Sequence, residues 1–371
     1  MKFKSSLNFT DKHLLKWSLR GIDPSLLNAD FKEKEHEIDW GSFVDHAQKS
    51  HLASYFLENA KLAAITVPEK VSSALERYQQ RIFAHHLFCL EILLALNQNL
   101  NESKIEHVFL KGWDLVIRGY SDLKVRQISD IDVLIQQNEL NRIMKVLKDM
   151  GASVRTVDFK SKLHEKIELY HAPLQASYKG ISIDIHVRLF SSLTPYSFET
   201  EDLLLNKERH DFQGRSIYLL SEIDAALFCY LHAYKHLFYG SALKVAMIND
   251  FSYFKTADLD RHASLTQATQ ALKEMLEFER EITENHDKIG FIAFTFERFL
   301  CFRKKTFLEA LILSQRRFVN LSIRWKSLGL IFYDIFPQRS FLTNNFGSSS
   351  YFICWLRRSF NFFNLFFKTK K

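Results

Sequence analysis

Between Ala53 and Gln98 the apolar residues recur every three or four positions, as at Phe83, Leu87, Leu90 and Leu94, with no glycine and one proline to interrupt them. This spacing predicts a helical N-terminal region. The pattern changes at Glu106, where HVFL is a short apolar run suited to a strand and Lys111-Gly112 supplies the break after it. Trp113, Val116, Ile117 and Tyr120 then mark one helical face. In RQISDIDVLIQQ, Ile131, Val133 and Ile135 alternate with Asp130 and Asp132, the period-two signature of a half-buried strand with both carboxylates on one side. Asn138 is placed to cap a helix whose stripe is Leu140, Ile143, Met144 and Leu147, and Gly151 suits its C-terminal end. The runs VRTV, KIELYH and LQASY follow. After Lys179-Gly180, Ile181, Ile183, Ile185 and Val187 alternate with Ser182, Asp184, His186 and Arg188, so a second strand has one acidic, polar face. Beyond Ser221 the helical spacing returns at Ala225, Phe228, Leu231 and His232 and continues to roughly Leu313. An aromatic-rich tail ends in RRSFNFFNLFFKTKK.

Composition narrows this picture. Hydrophobic residues at 47% and charged residues at 25% of 371 exclude wholesale disorder and a collagen-like or coiled-coil rod. Only 11 glycines and 5 prolines argue for long helices over a many-turned β-sandwich. The order of patterns gives an α+β fold: a helical region over 1–104, a core with the two acidic strands over 105–215, a helical domain over 216–315 and a basic, aromatic tail over 316–371. The net charge of +7 permits an anionic partner. Without a dense Lys/Arg stripe, however, nucleic acid is not favoured. Cys89, Cys229, Cys301 and Cys354 lie far apart with no CxxC pair, which indicates neither a zinc site nor a disulfide framework and fits a reducing cytoplasm. No apolar h-region opens the chain and no apolar run reaches the length of a membrane span, so the sequence is expected to be neither secreted nor membrane-spanning. In the tail, Phe360, Phe363 and Phe367 beside Arg357, Arg358, Lys368, Lys370 and Lys371 fit either a docked terminal helix, the simpler reading, or peripheral contact with an anionic membrane.

The chemistry lies in the acidic faces. Two aspartates one residue apart on a strand point the same way with α-carbons about 6.5–7 Å apart, close enough to share divalent cations. Asp184 is the candidate third carboxylate. An all-oxygen set suits magnesium or manganese, which keep waters and take further ligands from substrate phosphates. Upstream, the Lys111-Gly112 turn between strand and helix forms a seat for phosphate. Arg126, four residues before Asp130, either contacts a triphosphate or is an exposed loop arginine. His186, two residues after Asp184, either touches substrate or a metal-bound water, or bonds a neighbouring strand. His232 and His236 are four apart on one helical face, but with no HExxH motif and no carboxylate placed by motif they do not point to zinc. Asp250 reads as a brace of the helical domain.

The segment LKGWDLVIRGYSDLKVRQISDIDVLI resembles the pattern of the uncharacterised nucleotidyltransferase family of the polymerase-β-like nucleotidyltransferase superfamily. The resemblance continues through GISIDIHVRL and LHAYKHLFYGSALKVAMINDFSYF and weakly to IFPQRSFL, so the good match runs from Glu106 to Phe254. It implies a core of mixed sheet and helices that transfers a nucleoside monophosphate from a nucleoside triphosphate to an acceptor (protein, sugar or small molecule), releasing pyrophosphate. By the same resemblance Asp130, Asp132 and Asp184 are metal-binding carboxylates, with Asp184 as general base or acceptor-side ligand. Lys111 and Gly112 stand where a Gly-Ser turn holds the triphosphate, with Trp113 replacing the serine. Arg126, His186, Lys235 and His236 are the further candidates for nucleotide or phosphate contact. The lost serine leaves an alternative open: a non-catalytic nucleotide-binding or accessory module on a degenerate scaffold.

Overall fold

A computed structural model describes residues 13–14, 16–156, 173–190, 196–238, 247, 249–250, 253–254 and 258–284. The tail over 316–371, KIELYH and the helical pattern beyond 284 lie outside the described residues. Four helices come first: α1 (Pro24–Lys34), α2 (Trp40–Lys49), α3 (Ala53–Leu62) and α4 (Glu69–Glu102). Asp23 and Asp39 cap the first two by accepting bonds from the opening backbone amides, and Pro24 fills the first position of α1, where no amide is needed. Strand β1 (His107–Phe109), helix α5 (Gly112–Ile117), strand β2 (Asp130–Ile135) and helix α6 (Leu140–Asp149) follow. Next are β3 (Ser153–Thr156), β4 (Leu174–Tyr178), β5 (Ile181–His186), α7 (Thr200–Leu205), β6 (Glu208–Phe212) and β7 (Arg215–Leu219). Helices α8 (Glu222–Phe238), α9 (Leu259–Leu265) and α10 (Thr269–Glu284) close the described part. Asn138 lies in a 3-10 turn over Gln137–Glu139 that leads into α6, so it does not cap that helix as its position suggested. Gly151 does end it, at φ 86°.

The strands form one mixed sheet of seven in the order β3-β4-β5-β2-β1-β7-β6. Its centre places β5 parallel to β2, with Asp132 opposite Asp184. On the other side of β2, β1 runs antiparallel and is itself parallel to β7. The fold is therefore α+β, as the sequence pattern predicts. Alternation along the strands divides the interior. Ile131, Val133 and Ile135 of β2 and Ile183 and Ile185 of β5 join one core with Leu90, Leu93 and Leu100 of α4 and Ile143 and Leu147 of α6. The opposite face contributes Val108 and Leu134 to a second core with the aromatic group Trp17, Phe31, Phe43 and Phe56 and with Leu227 and Leu231 of α8. Asp130, Asp132 and Asp184 project on this second face by the same alternation. Helix α4 spans both cores, with Val71 and Leu75 in one and Cys89 to Leu100 in the other.

His86 sits mid-way along α4, fully buried, and ties down the segment before β2. Its Nδ1 donates to the Leu123 carbonyl at 2.6 Å while Nε2 accepts from the Ile128 amide at 2.9 Å, so the ring is neutral. Burial holds its pKa below the ordinary histidine value. A folded value below the unfolded one means that the stabilisation is complete above about pH 6.5 and is lost as pH falls through the folded value, where a proton on Nε2 would oppose the Ile128 amide. In urea titrations the stability advantage of the wild type over His86→Gln is therefore largest near pH 7.5 and shrinks by about pH 5.5; a constant difference would show that His86 does not titrate in this way.

Candidate active site

The three carboxylates come together. One oxygen from each of Asp130, Asp132 and Asp184 lies within 4.8 Å of the other two, with Asp132 buried and its neighbours half-buried. Register explains this: Asp130 and Asp132 share a face of β2, and the parallel pairing sets Asp184 beside Asp132. The donor set is all oxygen, which fits a hard divalent cation of the magnesium or manganese type.

Two nitrogen donors converge on Asp132. Lys111 Nζ lies 2.5 Å and His186 Nε2 2.7 Å from the same oxygen, Oδ1. Burial alone would push the Asp132 carboxyl up, but the Lys111 ammonium and His186 outweigh it and hold the group well below the usual carboxylate range. Asp130 and Asp184 are shifted the other way. Burial raises both, and the charge of Asp132 raises them further. His186 thus bonds the adjacent strand, and the bond falls on the central carboxylate of the triad.

In the turn after β1 the residue with positive φ is Lys111, at φ 59° and ψ −125°. Gly112 lacks a side chain for a packing reason: a Cβ there would collide with Arg126 Nη1 and come within 3.0 Å of Ile128 Cγ1. Gly112→Ala is accordingly expected to displace Arg126 and to cost about 1–3 kcal/mol, the range for overpacking a tight site, read from the urea midpoint. An unchanged midpoint would mean that the guanidinium moves aside freely. Trp113 is fully buried and donates its indole N–H to the Asp130 carbonyl at 3.0 Å. The indole fixes the first residue of β2 to α5. Because α5 has only six residues, its end offers little dipole to an anion, and the Lys111 ammonium reaches the triad directly at Asp132.

Arg126 is not an exposed loop residue. It is half-buried and grips Asp250 through Nε and Nη2, both at 2.7 Å, while Nη1 donates to the Gln127 carbonyl. Asp250 therefore braces the helical part, as its sequence context suggests, by anchoring it to the segment before β2. A cavity of about 60 Å³ opens between Lys111, Arg126, His232, Cys229, Phe228 and Asp250. Lys111 borders both this cavity and the triad. Beneath it Asp114 bonds Arg118, whose guanidinium reaches Glu208 at 2.8 Å and the Leu220 carbonyl, so α5 is fastened to β6 and to the end of β7. Burial lifts the Asp114 carboxyl to about 6 despite Arg118. Lys235 and His236 fall in the last turn of α8, where the side chains lie outside the described residues. Nothing in the order of residues marked His86 as a support of the site. Only Asp114 and Arg118 carried a local signal, a carboxylate and a guanidinium four apart on a short helix.

The profile of a family described as uncharacterised nucleotidyltransferases matches residues 36–278, about two thirds of the chain. The chain belongs to that family. The match starts well before Glu106, so α2 to α4 are part of the family pattern and not an unrelated extension. Among solved structures, the chain is similar to the antibiotic-resistance factor ANT(2'')-Ia, at 11% identity over 54% of this chain and 97% of that one with a TM-score of 0.33. It is also similar to an antigenic nucleotidyltransferase-like protein from Paracoccidioides brasiliensis, at 16% identity over 50% of this chain and 91% of that one with a TM-score of 0.30. A provisionally assigned nucleotidyltransferase of Thermotoga maritima shares 18% identity over 36% of this chain and 76% of its own length, with a TM-score of 0.27. TM-scores of this size add nothing to the family assignment. No curated protein matches the sequence. Among the described residues, no helix is long and apolar enough to cross a membrane.

Proposed function

We propose that this family member transfers a nucleoside monophosphate from a nucleoside triphosphate to an acceptor hydroxyl or similar group, with release of pyrophosphate. The observation that carries this reading is the convergence of Asp130, Asp132 and Asp184 beside Lys111. Those three carboxylates would hold magnesium or manganese, which supplies neutralisation of the triphosphate and lowers the pKa of the acceptor group when bound. The chain's own residues do the rest. Lys111, at the border between triad and cavity, orients the phosphates, and Asp184 receives the acceptor's proton. His186 and the Trp113 indole keep the carboxylates aimed, and Arg126 fixes the turn by packing over Gly112. Nucleotidyl transfer asks for little covalent chemistry beyond this positioning and charge neutralisation. The acceptor is a protein, sugar or small molecule; a modest, dispersed positive charge does not favour nucleic acid. The cysteine pattern supports a cytoplasmic setting, and Cys89 and Cys229 are free thiols.

The test is label transfer. Purified protein with magnesium, α-labelled nucleoside triphosphates and cell extract is expected to label an acceptor and release pyrophosphate. Equal labelling by the wild type and by an Asp130→Ala, Asp132→Ala double variant would sink the reading. The presence of Trp113 in the serine's place favours one other reading, a nucleotide-binding accessory module. Magnesium-dependent nucleotide binding in calorimetry, with no turnover on any acceptor, would select it.

A further inference from the structure

Lys111 holds a backbone conformation that suits glycine, at φ 59° and ψ −125°, yet the residue there is a lysine. Its ammonium lies 2.5 Å from Asp132 Oδ1, and His186 Nε2 approaches the same oxygen at 2.7 Å. One of the two oxygens of the central carboxylate is therefore taken by side-chain donors. A pair of cations about 3.5–4 Å apart is commonly held by a carboxylate that gives one oxygen to each. Asp132 has only Oδ2 left to give. Lys111 is also the more exposed partner, at 25% against 2% for Asp132, on a flexible stem whose point charge can leave without rebuilding the fold.

We infer that the Lys111 ammonium is the resident counter-ion of the triad. In the nucleotide-free protein it occupies Asp132 in competition with divalent metal, so the site takes a single cation. Asp132 Oδ1 is freed for a second when the phosphates of a nucleoside triphosphate draw the ammonium away. The inference rests on the triad being a metal site, as proposed above, and goes beyond it in naming the order of filling and the residue that sets it.

Manganese alone is the probe, with free ion followed by electron paramagnetic resonance. The wild type is expected to bind one Mn²⁺ per chain without nucleotide and two with a non-hydrolysable triphosphate analogue. Lys111→Gly suits the backbone better and removes the side chain together with its charge. It is expected to bind a second Mn²⁺ without nucleotide, or the first at least about tenfold more tightly, as loss of a unit charge at ion-pair distance requires. Lys111→Arg keeps the charge and should follow the wild type. In chelator, the Lys111→Gly protein should melt below the wild type and regain the difference on adding Mn²⁺, because the carboxylates are then left without a counter-ion. The same affinity and stoichiometry for wild type and Lys111→Gly would overturn the inference while leaving the metal site intact. Failure of every protein to bind Mn²⁺, with or without the analogue, would remove the metal reading itself and this inference with it.

Discussion

Asp132→Asn is expected to lower the rate of label transfer by about a thousandfold or more while leaving the protein folded. The substitution deletes one of three carboxylates that would hold the metal and the oxygen on which Lys111 and His186 converge. Loss of a single well-placed group that stabilises developing charge costs on the order of 10² to 10³ in rate, and here the same change also releases the lysine. The fold should survive, because Lys111 is partly exposed and can turn to solvent. Single-turnover transfer, measured beside the circular-dichroism melt, checks both halves. A variant that melts normally and transfers at the wild-type rate would show that the triad is not the reacting site.

Arg126→Met is expected to destabilise the protein by about 3–5 kcal/mol. The pair that it breaks is bidentate and largely shielded from water, with side-chain exposure of 13% for Arg126 and 5% for Asp250. Removing one member strands an uncompensated buried charge, and that cost exceeds what the pair itself contributes. The double variant Arg126→Met, Asp250→Leu should recover much of the loss, since neither charge then remains. Urea midpoints of the two single variants and the double variant form the cycle that decides. A single-variant loss under about 1 kcal/mol would mean that water reaches Asp250 and that the anchor between the segment before β2 and the helical part is weak.

Why the carboxylates were legible and their setting was not follows from the range of the interactions. Period-two alternation is local, so Asp130 and Asp132 could be placed on one strand face, and Asp184 with His186 on another, from the order of residues alone. The parallel register that puts Asp132 opposite Asp184 joins residues 52 apart, and nothing in either segment announces it. Arg126 and Asp250 are more distant still, separated by 124 positions, so the arginine could be read equally as a phosphate ligand or as a loop residue. The β6–β7 hairpin was missed for a different reason. Glu208 to Phe212 forms an edge strand rich in charged residues, which lacks the apolar alternation that marks β2 and β5. At the turn, the glycine was read as room for an anion, whereas packing under Arg126 accounts for it and Lys111 carries the positive φ. The helical character at both ends of the core was legible from spacing, but the sharing of one hydrophobic interior by the first helices and α8 was not.

Helix α4 sets a limit on how this molecule can open. At 34 residues it is about 50 Å long, and its two halves are embedded in different interiors, with His86 between them holding the approach to β2. A rod anchored at both ends keeps the two interiors from drawing apart along its length. Admission of a bulky reactant is then a matter of twisting about that axle, or of side chains such as Lys111 swinging clear, and a hinge that parts the two halves would have to snap the rod first.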